Sequence, residues 1–123
     1  MIKLVMCLTR HPDKTRQQFQ DYWRHEHGPF FQRNAGAMGA VKYLQDHTLE
    51  TPLNEAFRAS RGMREPYDGV AEVWFASEEE LVAAMSTPEG QKLSAALLED
   101  EQSFIDHARS SAFLVEEVEF PAS

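Results

Sequence analysis

Residues 2–9 read IKLVMCLT, a short apolar run that is rich in branched side chains and ends at Arg10. Such a run predicts a strand at the start of the chain. Side chains alternate between the two faces of a strand. Both faces of this one are apolar, with Ile2, Leu4, Met6 and Leu8 on one and Val5 and Cys7 on the other. The strand therefore needs cover on both sides.

Three later runs have the same character. Alternating or continuous apolar residues bounded by turn residues predict strands over 39–48 (GAVKYLQDHT), 69–76 (GVAEVWFA) and 111–120 (SAFLVEEVEF). In the third predicted strand, Val70 and Trp74 lie opposite Ala71, Val73 and Phe75, so this strand is also apolar on both faces.

Helices are predicted between these strands. Thr15 and Gln18 match a capping box, and the helix that follows is expected to run to about Glu26, where Gly28 and Pro29 interrupt it. A second helical region begins with the Ser77 and Glu80 cap, runs through Met85 and restarts at Thr87-Pro88. Its later turns place Leu93, Leu97 and Phe104 on one stripe, with Asp100 and Glu101 at or beside that stripe.

No sustained period is visible over residues 49–68. A structureless segment of about twenty residues is longer than the usual connection of roughly 4–6 residues and often acts as a lid. We therefore expect residues 50–66 to close over a binding site.

The order β-α-β-β-α-β over residues 1–123 predicts a single α+β domain with a four-stranded antiparallel sheet and both helices on one face, the ferredoxin-like arrangement. Two helical regions cover only one face of the sheet. A second copy of the chain, packed sheet against sheet, would bury the other face at about 25 cal/mol per Å² of apolar area. The sequence therefore predicts a homodimer.

Composition excludes several classes of function. A formal charge of −8, with only twelve scattered basic residues, argues against nucleic acid and anionic membranes as partners. The start of the chain leads directly into a strand and not into a cleavable signal, and the single Cys7 excludes an internal disulfide, so we expect a cytoplasmic protein. Neither a nucleotide-binding glycine motif nor converging metal ligands are visible, and no cofactor or metal is expected.

Several short motifs together resemble the EthD family of the dimeric α/β-barrel superfamily. The motifs span nearly the whole chain: IKLV at 2–5, Phe19 with Tyr22-Trp23 and His27-Gly28-Pro29, KYLQDH at 42–47, YDGV at 67–70 with VWF at 73–75, and Asp100-Glu101 with Phe104-Ile105-Asp106. One departure is Asp46, where the resemblance would place Asn.

The resemblance implies a dimer whose sheets close into a barrel, with a small-molecule pocket between sheet and helices in each subunit. It further implies enzymes that act without a cofactor on aromatic, polyketide-like or lactone compounds. The expected reactions are isomerisation, dehydration or C–C lysis, with cofactor-free monooxygenation as the alternative enzyme class. A non-catalytic small-molecule carrier or accessory protein is the third alternative.

Four residues are candidate catalytic groups. His27 follows Trp23 by one helical turn, so its imidazole is expected on the buried stripe, where burial disfavours the charged form and leaves a base. The alternative is a histidine that only caps a broken helix end. Tyr43 and His47 share a strand face and can address a substrate oxygen, or else they are a core tyrosine and a surface histidine. Asp68 either orients an imidazole or forms the Asp-Gly turn before the third strand.

Large aromatic side chains are candidates for a substrate slot, because ligand pockets are mostly apolar with a few oriented polar groups. They are equally suited to an ordinary core. The predicted substrate-binding residues are Trp23, Phe31, Trp74 and Phe104, together with the carboxylate of Glu101. The resulting hypothesis is a cofactor-free enzyme in which His27 exchanges a proton with a small cyclic compound.

Overall fold

The computed structural model describes residues 1–122 and confirms the predicted α+β fold. Four antiparallel strands form one sheet in the order β2-β3-β1-β4. The strands are β1 (Ile2–Leu8), β2 (Ala40–His47), β3 (Gly69–Phe75) and β4 (Ser111–Val115). The helices are α1 (Arg16–Tyr22), α2 (Gly28–Asn34), α3 (Pro52–Arg61), α4 (Glu78–Met85) and α5 (Pro88–Glu101).

The predicted strand faces are those of the sheet. In the central pair, Leu4 of β1 stands opposite Val73 of β3, and both side chains point toward the helices. Two contiguous clusters of buried side chains form the core on this side, one around Phe19, Trp23 and Phe104 and the other around Phe75 and Leu97. Burial of these apolar side chains between the sheet and the helices stabilises the domain.

The helix that begins at Thr15 is not interrupted at Gly28 and Pro29. Thr15 and Gln18 form the predicted capping box. After α1, a π-helical turn over Trp23–His27 leads directly into α2, with helical backbone angles at both junctions. Pro29 lies in the first turn of α2, directly after the wider π-helical turn. The predicted interruption at Gly28 and Pro29 is therefore wrong.

Residues 49–68 are not structureless. Thr51 caps α3 by accepting a hydrogen bond from the backbone N–H of Leu53, and Pro52 occupies the first turn. This helix is amphipathic, yet Leu53 and Phe57 on its apolar side are 64% and 56% exposed. Among the helices described over residues 1–122, none is both long and apolar enough to cross a bilayer.

The outer face of the sheet is partly apolar and partly charged. Leu44 of β2 and Phe113 of β4 are exposed. Between them, the Lys3 Nζ atom lies 2.7 Å from Glu72 Oε1, and the same ammonium group lies over the ring of Trp74. Residues 1–122 include no helix packed on this face, as the sequence predicted.

Candidate active site

A cavity of about 220 Å³ lies between the sheet and the helices. Its walls are mainly apolar, and six of the side chains that form them are Leu4, Met6, Trp23, Phe31, Val73 and Leu97. Three titratable side chains also line it: His27, Tyr43 and Glu101. An apolar cavity with a few polar groups is typical of a small-molecule site.

The π-helical turn places His27 in this cavity. The backbone N–H of Gly28 donates to Trp23 O, five residues back, and Gln45 Nε2 donates to the same oxygen at 2.8 Å. A side chain at position 28 would obstruct this contact, because its Cβ atom would lie 2.6 Å from Gln45 Nε2. Glycine therefore lets β2 approach the helix at the turn that carries His27.

His27 is held by a carboxylate. Its side chain is 9% exposed, and its Nδ1 atom lies 2.6 Å from Asp100 Oδ2 on α5. The other carboxylate oxygen of Asp100 accepts a hydrogen bond from the Tyr22 hydroxyl. Since a carboxylate only accepts, His27 Nδ1 is the protonated nitrogen, and Nε2 is the nitrogen left free to act on a ligand.

The same carboxylate changes the pKa of the Tyr22 hydroxyl. Its hydrogen bond to Asp100 raises the pKa of Tyr22, and burial raises it further. Tyr22 therefore stays a neutral donor, and Asp100 keeps both oxygens occupied. The ring of His27 also packs against Phe104, with ring centroids 5.1 Å apart. These contacts fix the orientation of the imidazole.

Tyr43 is the second polar group of the cavity. Gln45 Nε2 donates to its hydroxyl oxygen at 2.7 Å, so the proton of Tyr43 is free to donate to a ligand. Burial raises the pKa of Tyr43 more than this hydrogen bond lowers it, which keeps the phenol neutral. Tyr43 therefore suits the stabilisation of a developing negative charge on oxygen.

His47 lies behind Tyr43 and does not line the cavity. Its Nε2 atom lies 2.8 Å from Gln45 Oε1, and its ring stacks on Trp23 with centroids 4.7 Å apart. Burial, together with the positive charge of Arg24, lowers the pKa of His47. Its buried Nδ1 atom has no hydrogen-bond partner within residues 1–122. His47 therefore reaches Tyr43 only through Gln45.

Glu101 is the third titratable group of the cavity. Its side chain is 16% exposed, and its Oε1 atom lies 3.0 Å from His107 Nε2. Glu101 follows Asp100 directly at the end of α5, so two adjacent carboxylates serve different histidines. Within the described part of the chain, no group of three or more His, Cys, Asp and Glu side chains is placed to hold a metal ion.

Besides His47, three more predicted site residues lie outside the cavity lining. Trp74 is on the outer face of the sheet, where its Nε1 atom donates to Glu117 Oε1. Phe104 is fully buried behind His27, packed against Phe19 and Tyr22. Asp68 is also buried, but its carboxylate binds arginines at one end of the sheet. The predicted residues that line the cavity are His27, Tyr43, Trp23, Phe31 and Glu101.

Two residues of this arrangement were not assigned a role from sequence. Asp100 was placed near the buried stripe of its helix, but nothing in the sequence pairs it with His27, 73 residues away. Gln45 lies on the predicted strand face of Tyr43 and His47. The spacing of two residues between these side chains could have predicted that they form a row of hydrogen-bonding groups.

The chain belongs to the EthD family, because the EthD domain matches residues 11–108, more than half of the sequence. A comparison with curated proteins found no match.

Solved structures share the fold. An ethyl tert-butyl ether D (EthD) family protein from Bacillus halodurans C-125 is 22% identical, with a TM-score of 0.63 over 96% of this chain and 99% of its own. SnoaB, a cofactor-independent oxygenase from Streptomyces nogalater, is 13% identical, with a TM-score of 0.54 over 97% and 94%. A dimeric ferredoxin-like protein of unknown function from Thermobifida fusca YX is 13% identical, with a TM-score of 0.57 over 93% and 88%.

Proposed function

We propose that the chain is a cofactor-free enzyme that moves a proton on a small cyclic compound, as an isomerase, dehydratase or lyase. One observation carries this proposal: His27 lines an apolar cavity while its Nδ1 atom is held 2.6 Å from Asp100. An imidazole fixed in this way presents a basic Nε2 atom to whatever occupies the cavity.

The proposed step uses two groups. His27 Nε2 takes a proton from a carbon next to a carbonyl group, and the electron pair of the broken C–H bond forms the enolate. The Tyr43 hydroxyl donates a hydrogen bond to the enolate oxygen. The imidazolium, paired with Asp100, then returns its proton to a different carbon or to a leaving hydroxyl group. Atoms and charge balance without an oxidant or a reductant.

The size of the cavity limits the substrate. An apolar cavity of roughly 150 Å³ holds a benzene ring. The cavity beside His27, at about 220 Å³, therefore suits one substituted ring, such as a cyclic ketone or a lactone. Trp23 and Phe31 provide the flat apolar contacts for such a ring.

Exchange of carbon-bound protons in D₂O tests the proposal without knowledge of the physiological substrate. NMR would follow the loss of the α-proton signal in a panel of single-ring ketones and lactones. At least one compound should exchange faster than in buffer, and H27Q should lower that rate by about 10² to 10⁴. H25Q is the matched control, because His25 is exposed on the same helical segment.

Two results would contradict this function. The first is exchange in H27Q at the wild-type rate. The second is tight binding of ring compounds with no exchange in any of them, which would favour the alternative of a carrier or accessory protein.

Cofactor-free monooxygenation is the second candidate, supported by the likeness to SnoaB, which is itself a cofactor-independent oxygenase. In that reaction His27 would deprotonate a phenol, and the resulting phenolate would give electrons to dioxygen, the oxidant. One oxygen atom would enter the ring, the other would leave as water, and the phenol would be oxidised to a quinone. Oxygen consumption with phenolic substrates distinguishes the two reactions, since proton transfer alone consumes none.

We further propose that the protein is a homodimer joined through the outer face of its sheet. Leu44 and Phe113 are 40% and 47% exposed there. The structural neighbours include proteins described as dimeric with a ferredoxin-like fold, which supports the same assembly.

A further inference from the structure

A second cleft lies at one end of the sheet, away from His27. It has a volume of about 420 Å³ and is lined by four arginines: Arg10, Arg16, Arg64 and Arg109. They come from four separate parts of the chain, after β1, at the start of α1, before β3 and before β4. The chain has a formal charge of −8 and only twelve basic residues, so this concentration of arginine is unusual for it.

Two of the arginines are held in place. The carboxylate of Asp68 is 3% exposed and accepts hydrogen bonds from the Arg10 backbone N–H, Arg10 Nη1 and Arg16 Nε at 2.8, 2.8 and 2.9 Å. Arg16 Nη1 also donates to Glu50 Oε1 at 2.7 Å. Arg10 Nε donates to Lys14 O at 3.0 Å. These bonds fix both guanidinium groups at the wall of the cleft.

The other two arginines differ from these in their ion pairing. Arg64 and Arg109 form no ion pair with any residue that the structure describes. Three carboxylates oppose the four arginines: Asp68 and Glu65 in the lining, and Glu50 on Arg16. Positive charge therefore exceeds negative charge by one, and Arg64 and Arg109 are the arginines that have no ion-pair partner among the described residues.

We propose that this cleft is a binding site for a small organic oxyanion, either a carboxylate or a phosphate ester. Guanidinium groups bind both oxyanions through paired N–H donors. The feature that the two ligands share is therefore an anionic head group, planar in a carboxylate and tetrahedral in a phosphate ester. The volume falls within the roughly 300–1,000 Å³ of ordinary ligand pockets, which exceeds the needs of an inorganic ion.

The remaining walls suit the organic part of such a ligand. Pro12, Pro66 and the ring of Tyr67 line the same cleft and provide apolar surface beside the arginines. An aromatic carboxylate or aryl phosphate would place its ring on these residues and its charge toward Arg64 and Arg109. This site does not depend on the reaction proposed at His27.

Isothermal titration calorimetry tests the site with phenyl phosphate and benzoate as probes, at constant low ionic strength, and with neutral benzyl alcohol as the comparison. At least one anion should bind wild-type protein, and R64Q/R109Q should weaken that binding by about tenfold or more. R24Q/R33Q is the matched control, since it removes the same charge from two exposed arginines outside the cleft. H27Q should bind the anion as wild type does, which separates this site from the cavity.

The outcomes are distinct. Binding of phenyl phosphate alone assigns a phosphate ester, and binding of benzoate alone assigns a carboxylate. The proposal is overturned if neither anion binds, if benzyl alcohol binds equally well, or if R64Q/R109Q binds the anion as tightly as R24Q/R33Q.

Discussion

Asp100 and His27 are 73 residues apart in sequence, and their side chains meet at 2.6 Å beside the cavity. One comes from the last turn of α5 and the other from the π-helical turn after α1. The pair resembles in geometry the carboxylate and imidazole that many enzymes use to fix a tautomer. It gives the proposed base an orientation that neither helix alone would provide.

The substitution D100N should lower proton exchange by about 10²-fold, because an amide can donate to Nδ1 and so favours the wrong tautomer of His27. The D₂O exchange assay measures this rate, and circular dichroism checks that the fold is kept. E99Q, at an exposed position of the same helix, should exchange at the wild-type rate. Equal rates in D100N and E99Q would remove Asp100 from the mechanism.

The substitution G28A should destabilise the protein by about 1–3 kcal/mol, because the added Cβ would crowd Gln45 Nε2 and Trp23 O at 2.6 and 3.0 Å. Urea denaturation measures the free energy of unfolding. G36A is the matched control, since no atom lies within 4 Å of the position that its Cβ would take. It should be neutral or stabilising by about 0.4–1 kcal/mol. A stability loss in G36A as large as that in G28A would contradict this explanation.

Asp46 should make stability depend on pH. Its hydrogen bond with Glu72, with burial and the charge of Glu72, raises the pKa of Asp46 to about 6. Because the pKa of Asp46 is higher in the folded than in the unfolded protein, protonation of Asp46 stabilises the fold. This contribution is fully present below the ordinary pKa of Asp and is lost as pH rises through about 6. Glu72 opposes this in part, because the same hydrogen bond and Lys3 lower the pKa of Glu72.

In D46N the amide donates to Glu72 at every pH, so this loss disappears. The melting temperature of D46N relative to wild type should therefore rise between about pH 5 and about pH 8. Differential scanning calorimetry at several pH values measures it. A constant difference across this range would show that the carboxyl pair does not share a proton.

The substitution D68N should destabilise the fold by about 3 kcal/mol at neutral pH, because it removes the charge that opposes two partly buried guanidinium groups. Burial disfavours the carboxylate, but hydrogen bonds from the backbone of Arg10 and from the side chains of Arg16 and Arg10 outweigh it and lower the pKa of Asp68. Because the pKa of Asp68 is lower in the folded than in the unfolded protein, its ionised carboxylate stabilises the fold above the ordinary pKa of Asp. This stability is lost as pH falls through the pKa of Asp68 in the folded protein.

Urea denaturation should therefore find the largest deficit of D68N near neutral pH and a smaller one in acid below about pH 4. D13N is the control, since the Asp13 side chain is 83% exposed. A deficit of D68N that grows in acid would reverse the proposed sign.

The substitution F113E should convert the proposed dimer to a monomer, because it would bury a charge between two sheets. Light scattering after size-exclusion chromatography measures the mass. V82E changes an exposed residue of α4, on the other side of the molecule, and should keep the wild-type mass. A monomeric wild-type protein would rule out the dimer directly.

Local patterns predicted the strands and the helix caps well, except that β4 ends at Val115 and does not extend to residue 120. The alternation in β3 assigned the correct faces, because side-chain direction in a strand depends only on neighbouring residues. In β2 it was correct from Tyr43 onward, but a bulge between Ala40 and Lys42 leaves Val41 57% exposed and not on the face of Tyr43. The caps at Thr15, Ser77 and Thr87 are likewise short-range hydrogen bonds between a side chain and a nearby backbone N–H.

The errors arose where tertiary contacts override local preference. Gly28 and Pro29 would end an isolated helix, but Gln45 from β2 supplies the donor that supports the π-helical turn. In α3 the Thr51 cap and the Leu53 and Phe57 spacing were present in the sequence. The helix is short and its apolar side carries few residues, so the pattern was too weak to predict a helix.

The candidate site was predictable only in part. His27 and Tyr43 follow from periodicity within one helix and one strand, and both line the cavity. The partner of His27 does not follow, because contact between the π-helical turn and α5 depends on the packing of the whole sheet. The catalytic roles of His27, Tyr43, His47 and Asp68 stay predictions, and the exchange assay with H27Q tests the first of them.

The π-helical turn at Trp23–His27 has a consequence for how this helical segment would respond to a deletion. A wide turn of this kind accommodates one residue more than an α-helical turn, while the helices before and after it keep their faces. Loss of one exposed residue, such as Arg24, would restore regular winding and re-aim the imidazole without disturbing either flank. We therefore expect deletion of Arg24 to impair the proposed proton transfer while the fold is kept.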